Sequence, residues 1–153
     1  MKFGYLIILF LILNFGGLAI GSWLMGEGPS SNWYLNLNKA PWTPPGWVFG
    51  AAWTLIMICF SLYLAYFFKA EINNFKIGLF VVLWLLNVSW NYIFFNQYQI
   101  LTALVVIIAL TLVILFLSLF YISEFKYKQL LLAPYAIWLI IACSLNAYAY
   151  FYN

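Results

Sequence analysis

The sequence predicts an all-α fold, an integral membrane bundle of five transmembrane helices, forming one domain over residues 1–153. Three observations carry that expectation. The chain is 68% hydrophobic and 6% charged, with mean hydropathy +1.03, whereas a soluble domain carries roughly 25% charged residues. Five apolar runs, 4–24, 46–68, 77–95, 101–121 and 130–151, reach the length of about 20 residues that a helix needs to cross a bilayer. The runs are continuous rather than alternating, which excludes barrel strands. Helices remain, because their backbone groups pair internally where no water reaches. Six basic and three acidic side chains cannot solvate a globule of this size, so an ordinary cytosolic protein, a disordered chain and a nucleic-acid binder are excluded.

Each element has its own signals. The first run follows Lys2 and ends near the small residues Ala19 and Gly21. That is the outline of a signal peptide, but the run is longer than a typical signal core and reads as a span. Gly17 and Gly21 form a G-x-x-x-G spacing, suited to close helix packing within the bundle or to a dimer face. Residues 25–45 form the one long connection. It holds Gly26, Gly28, Pro29, Pro41, Pro44 and Pro45, interleaved with Trp33, Tyr34, Leu35, Leu37 and Trp42. So apolar a loop is expected to fold back over the bundle end as a lid. Thr43-Pro44-Pro45 reads as a helix start, with Thr43 as the cap and proline in the first turn. Helical spacing then gives three mixed stripes. They are Gly46, Phe49, Trp53 and Met57 in the second span, Trp84, Asn87, Asn91 and Phe94 in the third, and Trp138, Ala142 and Asn146 in the fifth. The fourth span is nearly all aliphatic and Phe, with Thr102, Thr111 and Ser118 as its polar residues. It reads as a lipid-facing outer helix. Lys2, Lys69, Lys76, Lys126 and Lys128 fall on one side of such a bundle and Lys39 on the other. The lysine bias places the N-terminus in the cytoplasm.

The residue inventory narrows the chemistry. There is no His and no Arg, hence no imidazole base, no His metal or haem ligand and no bidentate carboxylate clamp; no metal site is expected. Glu27, Glu71 and Glu124 sit in separate loops, which disfavours a two-carboxylate hydrolytic site. Ion-coupled transport normally uses ionisable groups inside the membrane, and the spans supply none. Cys59 and Cys143 lie in apolar runs and read as buried free thiols. The intramembrane amides Asn14, Asn87, Asn91 and Asn146 have two readings: hydrogen bonds between helices, or the sparse polar points of an aromatic-walled pocket formed where the three stripes face one another. Trp23 and Trp47 lie near span ends and fit an interfacial belt. Trp53, Trp84, Trp90 and Trp138 lie deeper, where an indole N–H needs a partner. For Trp53 and Trp138, pocket lining and plain packing both stand.

Taken together, the motifs resemble a known family. Trp33-Tyr34, the stretch from Lys39-Ala40-Pro41-Trp42 through Gly50, Trp53-Thr54, Leu86-Asn87, Trp90-Asn91, Phe94-Phe95, Pro134-Tyr135, Trp138, Ala142 and Leu145-Asn146 occur in order across five spans. They are similar to the signature of the tryptophan-rich sensory protein / translocator protein family, the peripheral-type benzodiazepine receptors. The resemblance implies a five-helix bundle, usually a homodimer, with a ligand cavity closed by the first loop. It implies a bacterial-like member in the cell membrane, surrounded by lipid. Implied ligands are porphyrins such as protoporphyrin IX, sterols and benzodiazepine-site compounds, with porphyrin as ligand and no cofactor required. By motif position the implied pocket residues are Trp53, Asn87, Trp90, Trp138, Ala142 and Asn146, with Trp42, Pro45 and Phe49 near the lid. The implied role is a receptor or sensor in tetrapyrrole or stress regulation. The alternatives are light-dependent porphyrin degradation, for which Trp53 and Trp138 are the candidate catalytic residues, and transport of tetrapyrroles or sterols. Two departures stand out. The tail Asn146-Ala147-Tyr148-Ala149-Tyr150-Phe151-Tyr152-Asn153 lacks the basic residue of the animal sterol motif, and Lys39-Ala40-Pro41-Trp42 shifts the expected proline by one.

Overall fold

The computed structural model describes residues 2–153. Seven α-helices follow in order: α1 (Phe3–Leu24), α2 (Asn32–Asn36), α3 (Gly46–Ala70), α4 (Asn74–Asn91), α5 (Ile100–Phe120), α6 (Ile122–Phe125) and α7 (Ala133–Tyr152). Five of these, α1, α3, α4, α5 and α7, are long and apolar enough to cross a membrane. Short 3₁₀ turns occupy Gly28–Ser30 and Lys126–Leu132, and a π-helical turn, Tyr92–Asn96, extends α4. α1 packs on α3 and α4, and α5 on α7 and α4, while α3 closes against α7. The shared core is aromatic and aliphatic: Tyr63, Phe67, Leu110, Ile114, Tyr135 and Leu139 are fully buried. Ile8, Ile12, Leu85, Leu112 and Leu119 remain on the outside, as apolar side chains do when the solvent is lipid.

Several elements differ from the expectation, each for a local reason. Thr43 does not cap α3. Its Oγ1 donates to Ala40 O at 2.7 Å, which tightens the preceding turn, and Pro45 occupies the cap position. The third span begins at Asn74 rather than 77, because Asn73 Oδ1 accepts from Lys76 N at 2.9 Å and so caps the helix. Lys76 is therefore buried in a first turn rather than solvated in a loop. Its amine donates to Phe67 O at 3.1 Å, one of the carbonyls a helix C-terminus leaves unpaired, and Glu71 lies 3.9 Å away. The fifth span begins at Ala133 rather than 130, with Pro134 in its first turn, where the missing N–H is harmless.

Helix α5 is not simply an outer helix. Ala103, Leu104, Ile107, Leu110, Thr111, Ile114 and Leu117 form a buried seam at steps of three and four, and the opposite face carries the exposed Val105, Ile108 and Leu112. A uniformly aliphatic helix hides this division, because lipid and core select the same side chains. Cys59 and Cys143 are free but half-buried. Cys143 Sγ lies 3.3 Å from Thr111 Oγ1.

The Trp84–Phe94 stripe also divides. Ten residues fall about 80° short of three full turns, and the π-helical turn adds to the drift. Trp84 and Asn91 face α1, and Phe94 joins Trp90 on the neighbouring face, their rings stacked at 5.1 Å. Gly17 and Gly21 make that α1–α4 approach possible. A Cβ at Gly17 would stand 2.7 Å from Trp84 Nε1, and one at Gly21 2.7 Å from Asn91 Nδ2. The Trp84 indole lies over Gly17 and donates to Leu13 O at 2.9 Å. Gly17→Ala is expected to displace the indole and lower stability by about 1–3 kcal/mol. Gly50→Ala, whose Cβ meets open space, should be neutral or slightly stabilising. Thermal unfolding of both variants in the same detergent separates the two outcomes.

Candidate functional site

The connection 25–45 packs against the end of the bundle and carries its own helix. Gly26 and Gly28 adopt φ +63° and +52°, the left-handed conformation that lets the chain reverse after α1. Ser31 then starts α2 by accepting from Tyr34 N at 3.2 Å. The helix turns its aromatic residues down. Trp33 meets Phe94 edge-on at 5.5 Å, and Tyr34 packs on Phe95 at 5.3 Å. Burial pushes the Tyr34 phenol above its ordinary value, so it stays neutral. Lys39 closes the end of α2. Its Nζ donates to Tyr34 O, Leu35 O and Leu37 O at 2.8, 3.2 and 3.3 Å and sits 4.8 Å above the Tyr34 ring.

Two polar ties hold this lid to α7. Asn38 N donates to Asn153 Oδ1 at 2.7 Å, and Asn153 Nδ2 donates back to Asn38 O at 3.1 Å. Trp42 Nε1 donates to Ser144 Oγ at 3.0 Å, and its ring meets Tyr148 edge-on.

Beneath the lid lies a cavity of about 60 Å³. Its roof is Tyr34, Leu37, Lys39, Ala40 and Thr43; its walls are Phe49 of α3, Trp90, Phe94 and Phe95 of α4 and the following turn, and Ala142, Leu145, Asn146 and Ala149 of α7. Asn146 is the one amide on that wall and is 2% exposed. Its Oδ1 accepts from Trp90 Nε1 at 3.0 Å, and its Nδ2 donates to Ile100 O at 3.1 Å. One side chain thereby joins α4, α5 and α7. The cavity surface offers ring faces and aliphatic groups, with few directed polar atoms. Among the described residues no three of His, Cys, Asp and Glu gather closely enough to hold a metal ion.

The structure brings four of the sequence-derived site residues to this cavity: Phe49, Trp90, Ala142 and Asn146. The other five lie elsewhere. Trp42 pins the lid edge, and Pro45 is exposed at the start of α3. Trp138 is buried behind Phe49, edge-on at 5.2 Å. Trp53 packs edge-on against Tyr135 at 5.9 Å. Asn87 Nδ2 donates to Tyr135 Oη at 2.7 Å and borders a separate void of about 10 Å³ between α1, α3, α4 and α7. Tyr34, Leu37, Lys39, Ala40, Thr43, Phe95, Leu145 and Ala149 also line the cavity, although the sequence reading does not place them among the pocket residues. The row Ala142, Leu145, Asn146, Ala149 follows helical spacing and extends the fifth-span stripe; the roof residues carry only the general signal of an apolar connection, which does not say which side chains face the cavity.

These features define a class, an integral membrane protein built as a five-helix bundle with an aromatic cavity under a pinned lid. Comparison with known proteins gives the family. Residues 7–151 match the model of the TspO/MBR family. The tryptophan-rich protein TspO of Archaeoglobus fulgidus is 37% identical over 126 residues, covering 79% of this chain and 80% of its own. The protein of the same name in Chlorobaculum tepidum is 34% identical, covering 77% of each chain. The human translocator protein is 30% identical over 137 residues, covering 85% of this chain and 79% of its own. The chain belongs to the TspO/MBR family.

Asn146→Ala should cost about 1–3 kcal/mol, because it strands the Trp90 indole N–H in the interior. The expected readout is a lower unfolding temperature in detergent together with an altered Trp emission. An unchanged Tm would show that the three-helix junction is not held by this amide.

Proposed function

We propose that this protein is a membrane receptor or sensor for flat, largely apolar ligands, with porphyrins such as protoporphyrin IX foremost and benzodiazepine-site compounds as further candidates, acting in tetrapyrrole or stress regulation. The observation that carries this reading is the cavity under α2, where Tyr34, Phe49, Trp90 and Phe94 offer ring faces around the Asn146 amide. Small-molecule sites have this make-up, mostly apolar with a few placed polar groups.

Size decides how binding proceeds. About 60 Å³ is room for a few waters, whereas drug-sized ligands fill roughly 300–1,000 Å³. A macrocycle therefore enters only when α2 lifts. The lid is fixed by the Asn38–Asn153 and Trp42–Ser144 ties and by ring contacts, not by a covalent link, so the movement is within reach of binding energy. Lys39 is the one lysine at this end, and its amine is engaged by three carbonyls of the lid, so carboxylates on a ligand would face the interface or water. The lysine-rich opposite end faces the cytoplasm on the positive-inside rule. Light-driven degradation is less well supported, since Trp53 and Trp138 stand behind Tyr135 and Phe49 and only Trp90 reaches the cavity.

Titration of protoporphyrin IX against the protein in lipid nanodiscs, followed by Trp quenching, tests the reading. Wild type should saturate. Ala142→Phe fills the cavity and should weaken binding by about tenfold or more, equal to about 1.4 kcal/mol, while Trp53→Phe should bind as wild type. Equal quenching of Ala142→Phe and wild type would refute this site. With no His to ligate iron, haem and metal-free porphyrin should bind within about threefold of each other. Much tighter haem binding with a protein-ligated iron spectrum would contradict the stacking account.

A further inference from the structure

The lysines at the end away from the lid are not evenly spread. A groove of about 580 Å³ opens between the start of α1, the end of α3 and the α6 turn, bordered by Phe3, Tyr66, Lys69, Glu124, Phe125 and Lys128. Phe3 and Tyr66 lie against each other as its floor, with centroids 4.6 Å apart. Each ring carries a lysine amine, Lys69 Nζ at 5.3 Å over Phe3 and Lys128 Nζ at 4.3 Å over Tyr66. Neither amine is spent on a carboxylate, since the one ion pair among the described residues is Lys76 with Glu71. Glu124 is the groove's single acid, so two cations face one anion. The strand of chain that delivers Lys128 also presents Tyr127 and Leu130, 76% and 72% exposed. Cation and apolar surface thus stand side by side where the helices end.

The geometry points to a site for an anionic glycerophospholipid, its phosphate between Lys69 and Lys128 and its acyl chains along the apolar flank. Charge complementarity selects the anion, because the groove holds two amines without a carboxylate partner against one acid. The exposed Tyr127 and Leu130 select a lipid over a soluble anion, because they need an apolar neighbour that free phosphate does not supply. Basic pockets at the ends of transmembrane helices bind acidic headgroups on these grounds. The site is remote from the lid cavity and does not depend on what that cavity binds.

The test uses the full chain in detergent, titrated with phosphatidylglycerol, phosphatidylcholine or inorganic phosphate, and reads retained lipid by native mass spectrometry and stability by thermal unfolding. Phosphatidylglycerol should be retained and stabilising; phosphatidylcholine should be neither. Lys69→Gln/Lys128→Gln should reduce phosphatidylglycerol retention about tenfold. Lys2→Gln/Lys126→Gln, with the same charge change at the same end but off the groove, should retain it. Equal loss in both doubles would mean diffuse surface attraction and overturn the site. Equal retention of phosphatidylcholine would overturn the anion requirement, and stabilisation by inorganic phosphate matching that by the lipid would overturn the lipid as occupant. Glu124→Gln removes the competing carboxylate and should tighten phosphatidylglycerol binding. Unchanged or weaker binding there would count against the site even if the groove double fails to fold.

Discussion

The carboxamide of Asn146 is the interaction on which the cavity end of the bundle depends. It is 2% exposed, accepts from Trp90 and donates to Ile100, and so ties α4, α5 and α7 together. Trp90, so bonded, lies flat against Phe94, and that stacked pair forms part of the cavity wall. In lipid, association between helices gains little from hydrophobicity, and packing and interhelical hydrogen bonds decide register. Asn14 to Ser61 joins α1 with α3, and Asn87 to Tyr135 joins α4 with α7. With Asn146 these amides tie α1 to α3, α4 to α7 and α7 to α5, which restricts how the five helices assemble.

The architecture was legible because its signal is carried by composition and length. Runs of about 20 apolar residues admit one backbone solution in a bilayer, and all five appear as helices. The folding-back of the 25–45 connection was legible for a related reason, since Trp33, Tyr34 and Leu37 have nowhere apolar to go except onto the bundle. What the sequence concealed was rotation. In a soluble helix polarity marks the outer face; in α5 both faces are aliphatic, so the seam from Ala103 to Leu117 had no label. The same blindness split the predicted pocket. Spacing of three and four placed Trp84, Asn87, Asn91 and Phe94 on one stripe, but Gly17 and Gly21 draw part of that stripe to α1, and Phe94 turns the other way. Trp53 and Trp138, whose positions suit both pocket lining and plain packing, pack against other rings rather than lining the cavity under the lid.

The two ends of the molecule use their few polar groups differently. At the lid end they are spent within the protein: Lys39 is consumed by three carbonyls, and Asn38, Trp42, Ser144 and Asn153 by one another. If the cavity takes a ligand as proposed, a few reversible hydrogen bonds on the five-residue α2 let that end open without breaking the bundle. At the opposite end Lys76 is buried and consumed, but Lys69 and Lys128 hold their amines over rings with no carboxylate partner. A cation over an aromatic face keeps most of its field outward. That end is therefore electrostatically unfinished within the chain itself, and in a membrane the nearest source of balancing charge is the headgroup layer. On the proposed reading, lifting α2 would leave the lysine end undisturbed, because the packed core that includes Tyr63 and Leu139 deforms little.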